Sequence, residues 1–270
     1  MKEFKATIHV GLGDLIYMKA QFDSAKHKFD RIELTFNKGW SGVHDGYYMN
    51  FLNELGQLLF SEPPYVITEI DHPHMSAVDI HRDHKILLTK PNLSYLLCKG
   101  TPLDIDSEYI VLTTKLRYFN RKKFDELSPK FFNTIERLSH KYKIVVLGER
   151  VVEMNAEYKL WGVDEIYSIY DDIIKNAPSD RIVDLTIPAL GITSPSIAQI
   201  QQDCLIMNLA KMVITLGVGG NFSMATAVAN TVGFRIDQDI IADEIFKTSY
   251  PNVIVTKSWP KFIEILEGYL

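Results

Sequence analysis

The chain has 270 residues, 46% hydrophobic and 23% charged, with a formal net charge of −5. This is the make-up of a folded chain with one large domain or two modest ones; it excludes a largely disordered protein and one held on nucleic acid by bulk positive charge. Cys98 and Cys204, each inside an apolar run, fit buried free thiols in a reducing cytoplasm, and no window reaches the roughly 18 apolar residues of a membrane span, although peripheral membrane attachment stays open.

In chain order, ATIHV (6–10) reads as a strand, DLIYMKAQFDSAKHKF (14–29) as a helix and RIELTF (31–36) as a strand; YYMNFLNELGQLLF (47–60) is a helix and PYVITEI (64–70) a third strand. This βαβ rhythm implies a parallel sheet covered by helices. Residues 71–108 then give one or two short strands, several prolines and a polar stretch near 101–108, with no strong helix, which places a linker there. A second alternation follows: strand YIVLTTKLRYF (109–119), amphipathic helix 123–142, strand KIVVLGER (143–150), EIYSIY, RIVDLTI, a helix over 195–212, strand VITLGV, and a glycine turn into the helix GGNFSMATAVANTV (219–232). FRID and NVIVTK are late strands and WPKFIEILEGYL a closing helix. The fold class expected is α/β, as two tandem Rossmann-like domains, 1–105 and 106–270, facing a cleft. Ligands of such sheets bind beyond the carboxyl ends of the strands.

Several stretches carry candidate chemistry. In HVGLGDLI (9–16), Gly11 and Gly13 allow a tight strand-to-helix turn with Asp14 at the mouth of the helix. Asp14 has two readings, a cap for a helix beginning at Leu15 or a base for a hydroxyl of a ligand held by the facing half. GVGGNFSMATAVA (217–229) offers free N–H groups and the positive end of a helix dipole to an anion such as a diphosphate, or is simply a tight turn with close packing; the G-x-G-x-x-G fingerprint fails at Phe222. Thr113, Thr114, Lys115, Arg117, Arg121, Lys122 and Lys123 follow a strand end, as phosphate recognition requires, or form a solvated basic face. Glu149 and Arg150 leave the next strand at the same edge, where Glu149 can accept both hydroxyls of a ribose diol or belong to an exposed ion pair. His72, His74, His81 and His84, beside Asp71, Asp79 and Asp83, raise a metal-hydrolase reading, but their spacing matches no metal motif and a polar loop explains them more simply; no metal site is assigned.

GLGDLIYMKA resembles the N-terminal turn of the bacterial heptosyltransferases of glycosyltransferase family nine, where the aspartate is regarded as the catalytic base. VLTTKLRYFNRKKF resembles the segment opening that family's second domain, whose threonines and cations contact the donor phosphates. VVLGER is similar to the strand bearing a ribose-binding glutamate, and GGNFSMATAVANTV to the diphosphate-binding turn and helix. The four occur in the family's order across residues 9 to 232. The last departs from the usual acid or hydroxyl, glycine and histidine, with Gly219, Gly220, Asn221 and Met224 standing there instead.

The resemblance implies a GT-B fold and inverting transfer from a nucleotide sugar to a hydroxyl of a saccharide or related acceptor, with no metal and no cofactor besides the donor substrate. It implies Asp14 as base and Gly11 and Gly13 as the acceptor-side turn. The implied donor contacts are Thr113, Thr114, Lys115, Arg117, Glu149, Arg150, Gly219, Gly220, Asn221, Ser223 and Met224. A nucleotide-sugar epimerase or hydrolase and a non-catalytic sugar- or nucleotide-binding module are the alternatives.

Overall fold

Apolar runs with β-branched residues become parallel strands here. The computed structural model describes residues 2–8, 11–36, 46–75, 77–86, 93–117, 121–151, 166–187, 196–217, 220–234 and 253–270, the side chains of 46–49, 77, 78, 81, 117 and 166 excepted. The first half contains β1 (Glu3–Ile8), α1 (Leu12–Ala25), β2 (Arg31–Phe36), α2 (Gly46–Leu59), β3 (Tyr65–Ile67), β4 (His74–Met75), α3 (Ala77–His84) and α4 (Ser94–Leu97). Its strands form a sheet in the order β3-β2-β1-β4, every pair parallel.

The second half contains β5 (Tyr109–Thr113), β6 (Lys115–Arg117), α5 (Arg121–Ser139), β7 (Lys143–Leu147), β8 (Ile166–Ser168), α6 (Tyr170–Asn176), β9 (Ile182–Asp184), α7 (Ile197–Leu209), β10 (Val213–Leu216), α8 (Gly220–Val228), β11 (Thr231–Phe234), β12 (Val253–Thr256) and α9 (Trp259–Glu267). Its main sheet is ordered β12-β11-β10-β5-β7-β9, again with every pair parallel, while β6 and β8 form a separate antiparallel ribbon.

Each sheet has one point at which the chain reverses its direction of travel. In the first sheet the strands move outward from β1 to β3, and β4 then returns to the other side of β1; in the second they move from β5 to β9, and β10 returns beside β5. The crevices beyond β1 and between β5 and β10 are therefore the topological switch points where such sheets bind ligands.

The two faces of the second sheet are closed differently. Ile110, Leu112, Ile144, Val146 and Ile214 pack against α5 and α9 through Phe131, Phe132, Trp259 and Phe262, with the Phe131 and Phe262 rings stacked at 6.0 Å between centroids. The opposite face, with Tyr109, Val111, Val145, Leu147 and Val213, belongs to one continuous apolar cluster that includes Phe4, Ala6, Ile8, Ile32 and Leu34 of the first sheet and runs through α1, α7 and α8. Residues 93–101, expected as linker, are tied to the second half. The Leu93 N–H donates to the Ala227 carbonyl at 3.2 Å and the Gln201 amide to the Leu96 carbonyl at 3.0 Å. The Gln202 amide accepts from the Thr101 N–H at 3.0 Å and donates to the Thr101 carbonyl at 2.7 Å.

Four expectations need correction. The segment 71–108, expected to hold no strong helix, contains α3, whose fully buried Ile80 is its one described core residue and whose Arg82 bonds Asp79 and Asp83 along the surface. The single strand expected over 109–119 breaks at Thr114, which keeps its N–H on the Leu147 carbonyl but turns its own carbonyl to the Ile169 N–H, so that 115–117 leave the main sheet. EIYSIY supplies β8, the partner of that ribbon, followed by α6 rather than a core strand. The helix expected over 219–232 stops at Val228, and β11 on Thr231–Phe234 meets the strand expected at FRID at Phe234, residues 235–237 lying outside the described ones.

Among the described residues no helix is long and apolar enough to cross a membrane.

On α7, Asp203 is largely removed from water, and this burial pushes its carboxyl up to about 6, against the hydrogen bond it receives from Gln199 Nε2 at 2.7 Å. A carboxyl raised on folding stabilises fully below its unfolded value near 4 and loses that contribution as pH rises through its folded value. Asp203→Asn should therefore raise unfolding free energy at pH 7.5 by about 1–3 kcal/mol, with the gain fading towards pH 4, as read from urea unfolding at both pH values.

Candidate active site

Gly11 is in an extended conformation before α1, and Gly13 lies inside its first turn. The helix begins at Leu12, with Gly11 at its N-cap and no side-chain cap, so Asp14 lies in the first turn and does not cap a helix beginning at Leu15. Its carboxylate folds back over Gly11, where an added Cβ would sit 3.0 Å from Asp14 Oδ2. The positive end of α1 favours a negative side chain at this place.

Beyond β10 the chain enters α8 at Gly220, and the first turns of α8 meet α1. A Cβ on Gly13 would lie 2.8 Å from Ser223 Oγ, so the helices cross at that glycine. Further along the crossing the Tyr17 and Thr226 hydroxyls are 3.4 Å apart. On the other side of α8, Asn221 Nδ2 is 3.0 Å from where a Cβ on Gly148 would be, and Thr114 Oγ1 is 2.6 Å from it. Gly148 also has φ +111°, so both conformation and space demand glycine there. Asp14, Ser223, Asn221, Gly148, Thr114 and Glu149 thus follow one another around the meeting point of the two switch crevices.

Glu149 is the buried charged group of this arrangement. Its residue is only 5% exposed, and its carbonyl accepts from Thr114 Oγ1 at 2.7 Å and Ser168 Oγ at 2.6 Å. A parallel bridge to Ile187 extends the β7–β9 pairing to this residue. Burial pushes its carboxyl above the usual range, while Lys115, with Nζ 3.4 Å from Oε1, pulls it back down.

The remaining expected residues divide. Thr113 and Thr114 are buried, with the Thr113 hydroxyl donating to the Ile214 carbonyl at 3.4 Å, so both shape the strand end. Met224 is in the apolar core. Arg150 turns outward, bonding Thr186 Oγ1 at 2.8 Å and Asp184 Oδ2 at 2.9 Å across Tyr170, on the side of β7 away from the crevice. Arg121 bonds Asp125 and Asp172. Gly219 and the side chain of Arg117 lie outside the described residues, as does that of His81. Ser168, Tyr17 and Thr226, which complete the framework, carry no sequence signal.

The histidine-rich stretch disperses. His72 Nε2 is 3.0 Å from buried Glu33 Oε1 and the His84 ring meets Phe4 edge-on. Among the described residues no group of three His, Cys, Asp or Glu side chains is placed to hold a metal ion.

No protein family's profile matches the chain, and no curated protein matches it in sequence. Among solved structures, the chain is similar to E. coli ADP-heptose LPS heptosyltransferase II at 11% identity and TM-score 0.48, covering 100% of this chain and 98% of that one. It is similar to a family 9 glycosyltransferase from Veillonella parvula at 10% identity and TM-score 0.48, covering 100% and 92%. The iron-containing dodecameric glycosyltransferase TibC of enterotoxigenic E. coli is similar at 13% identity and TM-score 0.44, covering 94% of this chain and 62% of that one.

Removing the cation from the buried pair should be felt only while Glu149 is ionised. Lys115→Met lifts the Glu149 carboxyl further, so the pH range over which stability is lost on ionisation moves upward. The expected cost is about 1–3 kcal/mol at pH 8, discounted because Lys115 is partly exposed, shrinking towards pH 4 in chemical denaturation of both proteins.

Proposed function

We propose that the chain is an inverting glycosyltransferase, with residues 1–105 carrying the acceptor side and 106–270 the nucleotide-sugar donor. The observation that carries this reading is the α1–α8 crossing, where the first turn of α1, which bears Asp14, packs at Gly13 against Ser223 near the start of α8. Sugar transfer from a nucleotide donor needs these two elements side by side: a base for the incoming hydroxyl and a cradle for the departing diphosphate.

In the proposed step an acceptor hydroxyl attacks the anomeric carbon from the face opposite the diphosphate. The new bond joins the acceptor oxygen to that carbon, the bond from the carbon to the diphosphate oxygen breaks with its electron pair, and Asp14 takes the hydroxyl proton. The charge leaving on the nucleoside diphosphate is met by the N–H groups opening α8, from Gly220 onward, and by Lys115. Glu149 accepts the ribose hydroxyls, which replace the donor it now has in Lys115. The chain's own residues supply the charge, and the nucleotide sugar enters as substrate. The acceptor is a saccharide or glycoconjugate.

Two measurements test this. Asp14→Asn should lower kcat by about 10²–10⁴-fold, the usual contribution of a placed general base, with nucleoside diphosphate affinity nearly unchanged; near-normal turnover removes Asp14 from the mechanism. A thermal-shift screen of nucleoside diphosphates should find one that stabilises the protein by about 2.7 kcal/mol at 100 times its Kd. Failure of every nucleotide to stabilise it would end the donor assignment.

A further inference from the structure

At the candidate site the approach that joins the two halves is between Gly13 and Ser223. A Cβ on Gly13 would be 2.8 Å from Ser223 Oγ but 3.7 Å from Ser223 Cβ, so the hydroxyl alone fills the space. Ser223 is 4% exposed, and its carbonyl accepts from Thr226 Oγ1 at 3.0 Å, the same hydroxyl that faces Tyr17 of α1. Behind Ser223, Ala225 and Ala227 are buried in the apolar core shared by the two sheets. The side of α8 is therefore fixed, and any bulk added at position 13 has to be absorbed by the turn that carries Asp14.

We infer that Gly13 and Ser223 form a steric register that sets the position of Asp14 relative to the N-terminus of α8, with Ser223 acting as a positioning residue through α1. This rests on the reading of Asp14 as the base. It gives the hydroxyl of Ser223 a task besides phosphate contact: its volume holds the first turn of α1 at the distance at which the carboxylate faces the reacting centre. The physical basis is that closely packed helices yield as bodies, and a shift well short of the core's tolerance in stability is large for proton transfer.

The test is a double-mutant cycle on the full chain, with kcat, donor KM and Tm measured for the unaltered protein, Gly13→Ala, Ser223→Ala and the double variant. Gly13→Ala is expected to lower kcat by about 10- to 100-fold, in line with the penalty for misplacing a catalytic group by a fraction of an ångström to one ångström, while donor KM stays within about threefold. In the Ser223→Ala background the same change should alter kcat by less than about threefold, because a methyl group at position 13 then meets only an ordinary contact.

An equal loss of kcat from Gly13→Ala in both backgrounds would overturn the register, as would a folded Gly13→Ala protein with full turnover or one whose loss lies wholly in donor KM. The Tm values separate this from failure of the wider reading. If the unaltered chain transfers no sugar, the role of Asp14 falls and the positioning role with it. The Tm of Gly13→Ala would still recover in the double variant if the contact itself is real.

Discussion

Two helices that each leave a ligand-binding crevice can lie side by side only if one of them surrenders a side chain where they touch. Gly13 is that surrender. With Ser223 filling the space opposite, α1 and α8 come close enough for the carboxyl ends of β1 and β10 to open towards the same region, and the continuous apolar cluster behind them holds the arrangement. The place of Asp14 relative to α8 depends on this crossing, whereas Glu149 is held within the second half by Thr114, Ser168 and Lys115.

Electrostatics follow from the packing. Glu149 is carried into a nearly waterless place by the extension of β7 and by two hydroxyls on its carbonyl, and an ionised carboxylate there needs hydrogen-bond donors. Lys115 supplies one, from a ribbon that leaves the main sheet at Thr114. A partner presenting two adjacent hydroxyls would satisfy the carboxylate better than a single ammonium and would free the lysine for an anion. Glu33 shows the contrasting solution: also buried, it is surrounded by Lys5, Arg31 and His72, which occupy it as a structural pair.

Much of the architecture was legible in the sequence because parallel strands buried on both faces leave a strong mark, as in RIELTF and KIVVL, and because Gly11 and Gly220 stand at the starts of α1 and α8. The polar surface of α3 hid a helix whose one described core residue is Ile80. The break at Thr114 was invisible because both of its sides are strand-like; it depends on residues 166–169, some fifty positions away. In the site, Asp14 and Glu149 could be read from their places after strands, whereas the outward turn of Arg150 was fixed by Asp184 and Tyr170, which local spacing does not link to it. The Gly13–Ser223 contact joins residues from opposite ends of the chain, so no local pattern contains it.

The unequal faces of the second sheet bear on how such a chain can be divided. The side sealed by Phe131, Trp259 and Phe262 is self-sufficient, but on the side bearing Val111, Val145 and Val213 the apolar cluster continues through α7 and α8 into α1 and the first sheet. Severed from its neighbour, residues 106–270 would expose to water the apolar sides of α7 and α8 that now pack on the first half. The halves thus behave as complementary pieces of one hydrophobic body, unsuited to exchange as independent modules.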